Sequence, residues 1–350
     1  MTNLLKDKYS EGNFTLVKLP LDNSYLVNGN EFPVAFKFTS QVAYEEQEVI
    51  KFLSQLASKN VFNELQDKHG AVVIRNLGTK DPQVLSKYIE AIQVNSSKKP
   101  FIQCGALAKR RDIAPYLQTA NEGDPRRRIH QHNEFSRFKK YPNHLVFVNI
   151  KYSAQNGETP IVHCGELYNR LYAEIPEFLS DLKRKGLYMT QTWPYNPKDG
   201  ITWVDKFSFG KDIEATDSLE TKKSKAELVL QERISSDFEW LSNNDLKVHQ
   251  HTQPLQLHKT GIPVLFSSLP TYYNEMKNSV YDEDNPPIAF DNKELIQKSN
   301  LEKVFDISTE LEYLHDWEEG DIALIDNHQV SHGRRPWKEG EREVLVSMWE

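Results

Sequence analysis

Two short segments of this chain, roughly two hundred residues apart, carry side chains that together can make one metal site, so any fold must bring them to a point. The first holds His132, Asn133 and Glu134; the second runs from Ile325 through Asp326, Asn327 and His332 to Arg334, Arg335 and Pro336, with Arg342 further on. A His-x-carboxylate pair plus one distant His leaves open positions on Fe(II), the arrangement typical of non-haem oxygenases. Side chains at i and i+2 of a strand share a face, so a regular strand lets His132 and Glu134 reach one ion. His332 must then arrive from another strand or loop, which a curled sheet allows.

Other histidines compete, for the chain has 11. His130 lies on the same face as His132 if the strand is regular. His249, His251 and His258 form a second group, read more simply as a solvated polar loop. His163 and Cys164 could bind zinc but lack a partner cysteine at metal-ligand spacing. Packing with a satisfied polar group explains them more simply.

Composition narrows the class. A chain of 350 residues is within reach of one barrel-type catalytic domain with insertions. Its 38% hydrophobic and 27% charged residues suit a full core rather than a disordered chain. The net charge of −7 provides no basic field for nucleic acid, despite a local cluster at Arg126, Arg127 and Arg128. Two cysteines, Cys104 and Cys164, exclude a disulfide scaffold and point to a reducing compartment. The N-terminus has no apolar signal region, and no run of about 18 apolar residues exists. The expectation is a cytoplasmic protein acting on a small molecule, without a membrane or nucleic-acid partner; its oligomeric state is not written here.

The pattern of elements favours a β-sandwich or barrel decorated by helices. Residues 1–40 read as irregular and strand-like, residues 43–68 as a helix, and residues 70–77 as a buried strand. Asp81 and Pro82 open a second helix. Strands are expected over 145–150 and from Thr159 to His163, followed by an amphipathic helix over 165–185. Residues 211–245 are charged and helix-prone, an insertion or a lid. Further on come a strand over 263–267, a helix over 292–303, and a strand-turn-strand tail around His332. The whole chain, 1–350, is expected to form one domain carrying that insertion.

The segment from Asn156 through Gly157, Glu158, Thr159 and Pro160 to Val162, then Leu324 to Asn327, His332 to Pro336, and Arg342 with Val344 and Leu345, resembles the taurine dioxygenase superfamily. Within it the chain is most similar to the clavaminate synthase-like proteins, which use His-x-Glu where many relatives use His-x-Asp. Residues 103–110 and 118–122 also look like family segments. Residues 70–190 and 255–350 carry the resemblance; the insertion and the first 40 residues do not. Where the family commonly has two glycines before Glu-Thr, this chain has Asn156 and Gly157. Asn tolerates positive φ, so the turn should survive.

The resemblance implies a mainly β fold with flanking helices (α+β), built on a double-stranded β-helix, or jelly roll. It implies His132, Glu134 and His332 as ligands of Fe(II). It implies that 2-oxoglutarate is held at its far carboxylate by the Thr159 hydroxyl and the Arg342 guanidinium. O2 would be the oxidant, with succinate and CO2 released. Glu134 favours hydroxylation over halogenation, because a halogenase needs that carboxylate absent. Arg110, Thr119 and Asn121 fall in segments that line the site in relatives and suggest a polar or anionic substrate. Arg334 and Arg335 read as braces for acids such as Asp326. Two alternatives stay open: a catalytically silent metal- or ligand-binding protein on the same fold, and a zinc hydrolase that would leave Thr159 and Arg342 without a role.

Overall fold

A nine-stranded sheet forms the back of the molecule, and its order shows how the two distant segments meet. In space the strands run Lys8–Glu11, Phe14–Leu19, Val34–Ser40, Ala71–Arg75, Ile322–Asp326, His144–Tyr152, Arg342–Trp349, Leu117–Thr119 and Asp112–Ala114. The computed structural model describes residues 7–106, 109–120, 123–196, 200–278 and 287–350. The chain's last strand, Arg342–Trp349, lies beside His144–Tyr152, which has Ile322–Asp326 on its other side. Pairing is antiparallel throughout except between Val34–Ser40 and Ala71–Arg75, which are parallel. That pair needs a crossover, supplied by the helices Glu46–Ser58 and Val61–His69.

Alternation along the strands builds two cores from one sheet. Val72, Ile74, Val146, Val148, Ile322 and Leu324 face the helices and pack with Val49, Phe52, Leu53, Leu85 and Ile89. Ala71, Val73, Leu145, Phe147, Ala323, Ile325, Val344 and Val346 face the other way. There they meet Ile161, Tyr313 and Val330 of a four-stranded sheet ordered Tyr313–His315, Thr159–His163, Val330–Arg334 and Ile129–His132. A third sheet, Asp237–Trp240, Leu246–Thr252, Leu187–Trp193 and Ile288–Phe290, stands beside the pair. No described helix is long and apolar enough to cross a membrane.

Several expected elements are divided. The helix over 43–68 is two, because Asn60 takes φ 64° between them. The helix over 165–185 is also two, Cys164–Glu174 and Pro176–Lys185, since Pro176 cannot donate its backbone nitrogen to the first. The helix expected over 292–303 runs Lys298–Glu310. The 211–245 segment is only partly helical. Leu219–Val229 and a π turn Leu230–Ile234 lead into Asp237–Trp240, which pairs with Leu246–Thr252. Its apolar side, Ala226, Val229, Leu230 and Ile234, packs on Trp193, Trp203, Phe209 and Phe138. Charge on one face hid a buried seam on the other.

Buried histidines make the fold acid-sensitive. His163 caps the helix Cys164–Glu174 by accepting from the Gly165 amide at 3.1 Å, which requires a neutral Nδ1. Burial pushes its imidazole down to about 4 and that of His144 to about 3. An unfolded histidine titrates near 6.5. Between that value and about 4 the unfolded state therefore binds more protons, and stability falls with pH by about 1.4 kcal/mol per unit for each group. The melting temperature of metal-free protein should be level above pH 7 and drop steadily from pH 6.5 to 4. A level profile through that window, read by circular dichroism, would contradict the burial of neutral imidazoles.

Candidate metal centre

Strand register brings the two distant segments together. In the four-stranded sheet His332 lies directly opposite His132, and their rings are 4.3 Å apart. Glu134 Oε2 is 3.6 Å from His132 Nε2 and 3.5 Å from His332 Nε2. One ligand atom from each residue falls within 4.8 Å of the other two.

Glu134 reaches this point by a route other than the expected one. The strand ends at His132, and Glu134 sits in the turn that follows, with Phe135 held at φ 55°. A bulky residue in the left-handed region is strained and must be held by its surroundings. Two asparagines do so. Asn327 accepts from the Glu134 amide at 2.8 Å and donates to the Glu134 carbonyl at 3.1 Å and the Pro142 carbonyl at 2.7 Å. Asn133 donates to the Asn327 carbonyl at 2.7 Å and accepts from the Ser267 amide at 3.0 Å. These bonds replace the ladder and aim the carboxylate back at the histidines.

The donor set fits a divalent cation. His132 Nδ1 lies 2.9 Å from the His130 carbonyl, which can only accept. Nδ1 therefore carries a proton, and Nε2 is the ring nitrogen that faces Glu134. His332 Nδ1 is buried without a hydrogen-bond partner among the described residues, and packing on Phe147, ring centroids 5.1 Å apart, orients it. Burial opposes ionisation of Glu134, but the two imidazoles and Arg110 hold its carboxyl well below the usual range. Burial, then His132, pushes His332 down to about 4, with Glu134 acting the other way. An ionised Glu134 and a neutral His332 are the forms that bind metal.

The competing histidines have other work. His130 packs on Phe305, ring centroids 5.2 Å apart. His249 and His251 lie on the strand Leu246–Thr252, not in a loop. His249 Nδ1 is 2.5 Å from the Tyr188 hydroxyl, and His251 pairs with Asp291 at 2.5 Å and Asp237 at 3.0 Å. His258 stands apart from both and pairs with buried Asp326 at 3.1 Å. Asp67 completes a second His/Asp group there, but it already pairs with Lys259 at 2.6 Å. Arg334 and Arg335 do not brace Asp326. Arg334 donates to the carbonyls of Asp124 and Arg127 at 2.7 and 2.9 Å, and Arg335 pairs with Glu312 at 2.6 Å.

Thr159 and Arg342 meet. Arg342 donates to the Thr159 hydroxyl oxygen at 3.0 Å and through Nε to the Gly157 carbonyl at 2.5 Å. Trp317 Nε1 donates to the same hydroxyl at 2.9 Å. Both lone pairs of Thr159 Oγ1 are thus engaged, which leaves its own proton to donate elsewhere. The Asn156–Gly157 turn survives with φ 63° and 84°. A Cβ on Gly157 would come within 3.1 Å of Arg342 Cδ, so glycine is what lets that side chain pass. Burial pushes the Arg342 guanidinium down to about 10, with Arg334 adding to the effect.

Thr159 and the group of His132, Glu134 and His332 are in register. Ile161 lies opposite His332, and Thr159 is two residues along the same strand and on the same face. The step is about 6.6 Å along the sheet.

The remaining expected contacts divide. Arg110 is at the centre, donating to Glu134 Oε1 at 3.3 Å and to the Thr119 carbonyl at 3.2 Å. It lines a cavity of about 610 Å³ with His132, Glu134, Phe135 and Arg137. Thr119 lines instead a cavity of about 380 Å³ beside Arg342 and Trp337. Asn121 lies outside the described residues. Trp317 had no sequence signal. Asn327 was in plain view in its motif, but its clasp on Glu134 depends on a turn that only the folded chain defines.

The family description "Taurine catabolism dioxygenase TauD, TfdA family" matches residues 39–349. Among curated proteins the chain is 22% identical over 309 residues to the dapdiamide synthesis protein DdaC of Enterobacter agglomerans, covering 85% of this chain and 87% of that one. It is 25% identical over 300 residues to a clavaminate synthase-like protein of Arabidopsis thaliana, covering 83% and 84%. Among solved structures, PvcB of Pseudomonas aeruginosa is alike in fold, with a TM-score of 0.50 at 12% identity over 97% of this chain and 92% of that one. The family match runs from within the strand Val34–Ser40 to Trp349, and the chain belongs to the TauD, TfdA family as an Fe(II)- and 2-oxoglutarate-dependent dioxygenase.

Proposed function

We propose that His132, Glu134 and His332 hold the Fe(II), and that Thr159 and Arg342 hold the far carboxylate of 2-oxoglutarate. The facing sheets form a double-stranded β-helix, or jelly roll, that sets the two groups a co-substrate's length apart. The reaction is oxidation, most simply hydroxylation, of a small polar or anionic organic molecule, with release of succinate and CO2. The observation that carries this reading is the Thr159 hydroxyl. It accepts from Trp317 and Arg342, which leaves its proton for an anion, at a position two residues along the strand from the residue opposite His332.

Fe(II), when bound, supplies the oxygen activation and the oxidative decarboxylation of 2-oxoglutarate. The chain's own residues orient and shield. Arg342 is fixed by Gly157 and Thr159, so little ordering is needed when a carboxylate arrives. His132 is locked in the tautomer that presents Nε2 by the His130 carbonyl. Arg110 balances the Glu134 charge on the substrate side. Phe147 and Trp317 keep water from the walls between. Titrating anaerobic Fe(II) protein with 2-oxoglutarate should produce a metal-to-ligand charge-transfer band that saturates at one equivalent. Absence of that band, with iron bound, would remove the co-substrate assignment.

A further inference from the structure

We infer that Gln250, with Gln191 beside it, forms a carboxamide-recognising subsite in the cavity beside His132 and Glu134, so that the substrate is a small carboxylate-bearing molecule with a neutral amide. The inference rests on the reading above in placing substrate in this cavity. Gln191 and Gln250 line it from the strands Leu187–Trp193 and Leu246–Thr252, while His132 and Glu134 line it from another side. In the antiparallel register Gln250 is opposite Met189 and Gln191 is opposite Val248. Opposed residues share a face, and so do residues two apart, so both carboxamides leave the sheet on one side.

Gln250 is 1% exposed, yet among the described residues neither its Oε1 nor its Nε2 meets a hydrogen-bond partner. Gln191 Oε1 is likewise buried without a partner among those residues. A buried amide that bonds to nothing forfeits its hydration with no return, whereas a leucine would fill the same volume without that loss. A ligand that completes the pair must offer an acceptor to the Gln250 nitrogen and a donor to the two oxygens. An amide does both. A carboxylate would set its charge against two carbonyl oxygens, and an ammonium would leave the Gln250 nitrogen unanswered.

The same cavity fixes the charge at the other end. Arg137 lines it, with its guanidinium over Phe138 at 5.1 Å, and its charge acts on Glu275, which lines the same cavity. The two side by side suit a carboxylate and an amino group on one small molecule.

The test uses three probes of nearly equal size, L-glutamine, L-glutamate and L-norleucine. Each is titrated calorimetrically into anaerobic Fe(II) protein with saturating 2-oxoglutarate. Glutamine should bind at least tenfold more tightly than either of the others, as expected for a buried amide pair satisfied on both sides. Gln250→Leu should erase that preference while the 2-oxoglutarate dissociation constant stays unchanged; Gln191→Leu is the second variant should the first not fold. Equal or tighter binding of glutamate or norleucine, no binding of any probe, or a preference that survives in the variant would overturn the subsite. The charge-transfer band scores the co-substrate reading separately, so a missing band and a missing amide preference are distinct failures.

Discussion

Replacing His332 with alanine should abolish turnover and reduce metal affinity by more than about a hundredfold. Loss of partners that merely orient metal ligands typically costs 10- to 100-fold, and removal of a ligand itself should cost more. His332 stands opposite His132 on the neighbouring strand, so its loss leaves only His132 and Glu134, from one side of the site. The fold itself should tolerate the change, because the removed imidazole is buried with one nitrogen unpartnered. Mn(II), which does not turn over, gives a readout independent of activity. A ligand that binds only the native state at a hundred times its dissociation constant adds about 2.7 kcal/mol of stability. The wild-type protein should therefore melt several degrees higher with Mn(II), and the variant should not. A variant that keeps the full Mn(II)-dependent shift would remove His332 from the ligand set.

Arg342→Met should weaken 2-oxoglutarate binding by about a hundredfold and leave metal binding nearly unchanged. Hydrogen bonds to a charged group contribute about 1.5–3 kcal/mol each, and a guanidinium can offer two to one carboxylate. Arg342 is buried and donates to Thr159 Oγ1 at 3.0 Å, so methionine removes the charge and one of the hydroxyl's two donors. Stability should not collapse, since replacing a buried charge with an apolar side chain of similar volume is often neutral. Titration of the anaerobic Fe(II) variant through the charge-transfer band measures the effect. An unchanged dissociation constant would show that the anion is held elsewhere.

Residue types and their spacing were enough to single out His132, Glu134 and His332, which the fold brings together, because donor atoms stay visible in a linear string. Thr159 and Arg342 could be singled out in the same way, and the fold brings them into contact. Strands such as Ala71–Arg75 and Thr159–His163 were legible because burial on both faces leaves an unbroken apolar run. Helix ends were legible where a local device sets them, as at Asp81, whose side chain accepts from the Gln83 amide at 2.8 Å. The place of Glu134 was not legible. An i, i+2 spacing reads as a strand, and only Asn327, brought in by the strand that follows Ala71–Arg75 in the sheet, turns that segment out of the ladder. The 211–245 segment hid its core side for a related reason: its partners Trp193, Phe138 and Cys104 come from three separate stretches of chain. Donor chemistry and local capping are properties of neighbouring residues, and the sequence by itself determined them. Which side chain faces which cavity, and which buried amide is left without a partner, follow from long-range register, and only the tertiary structure decided them.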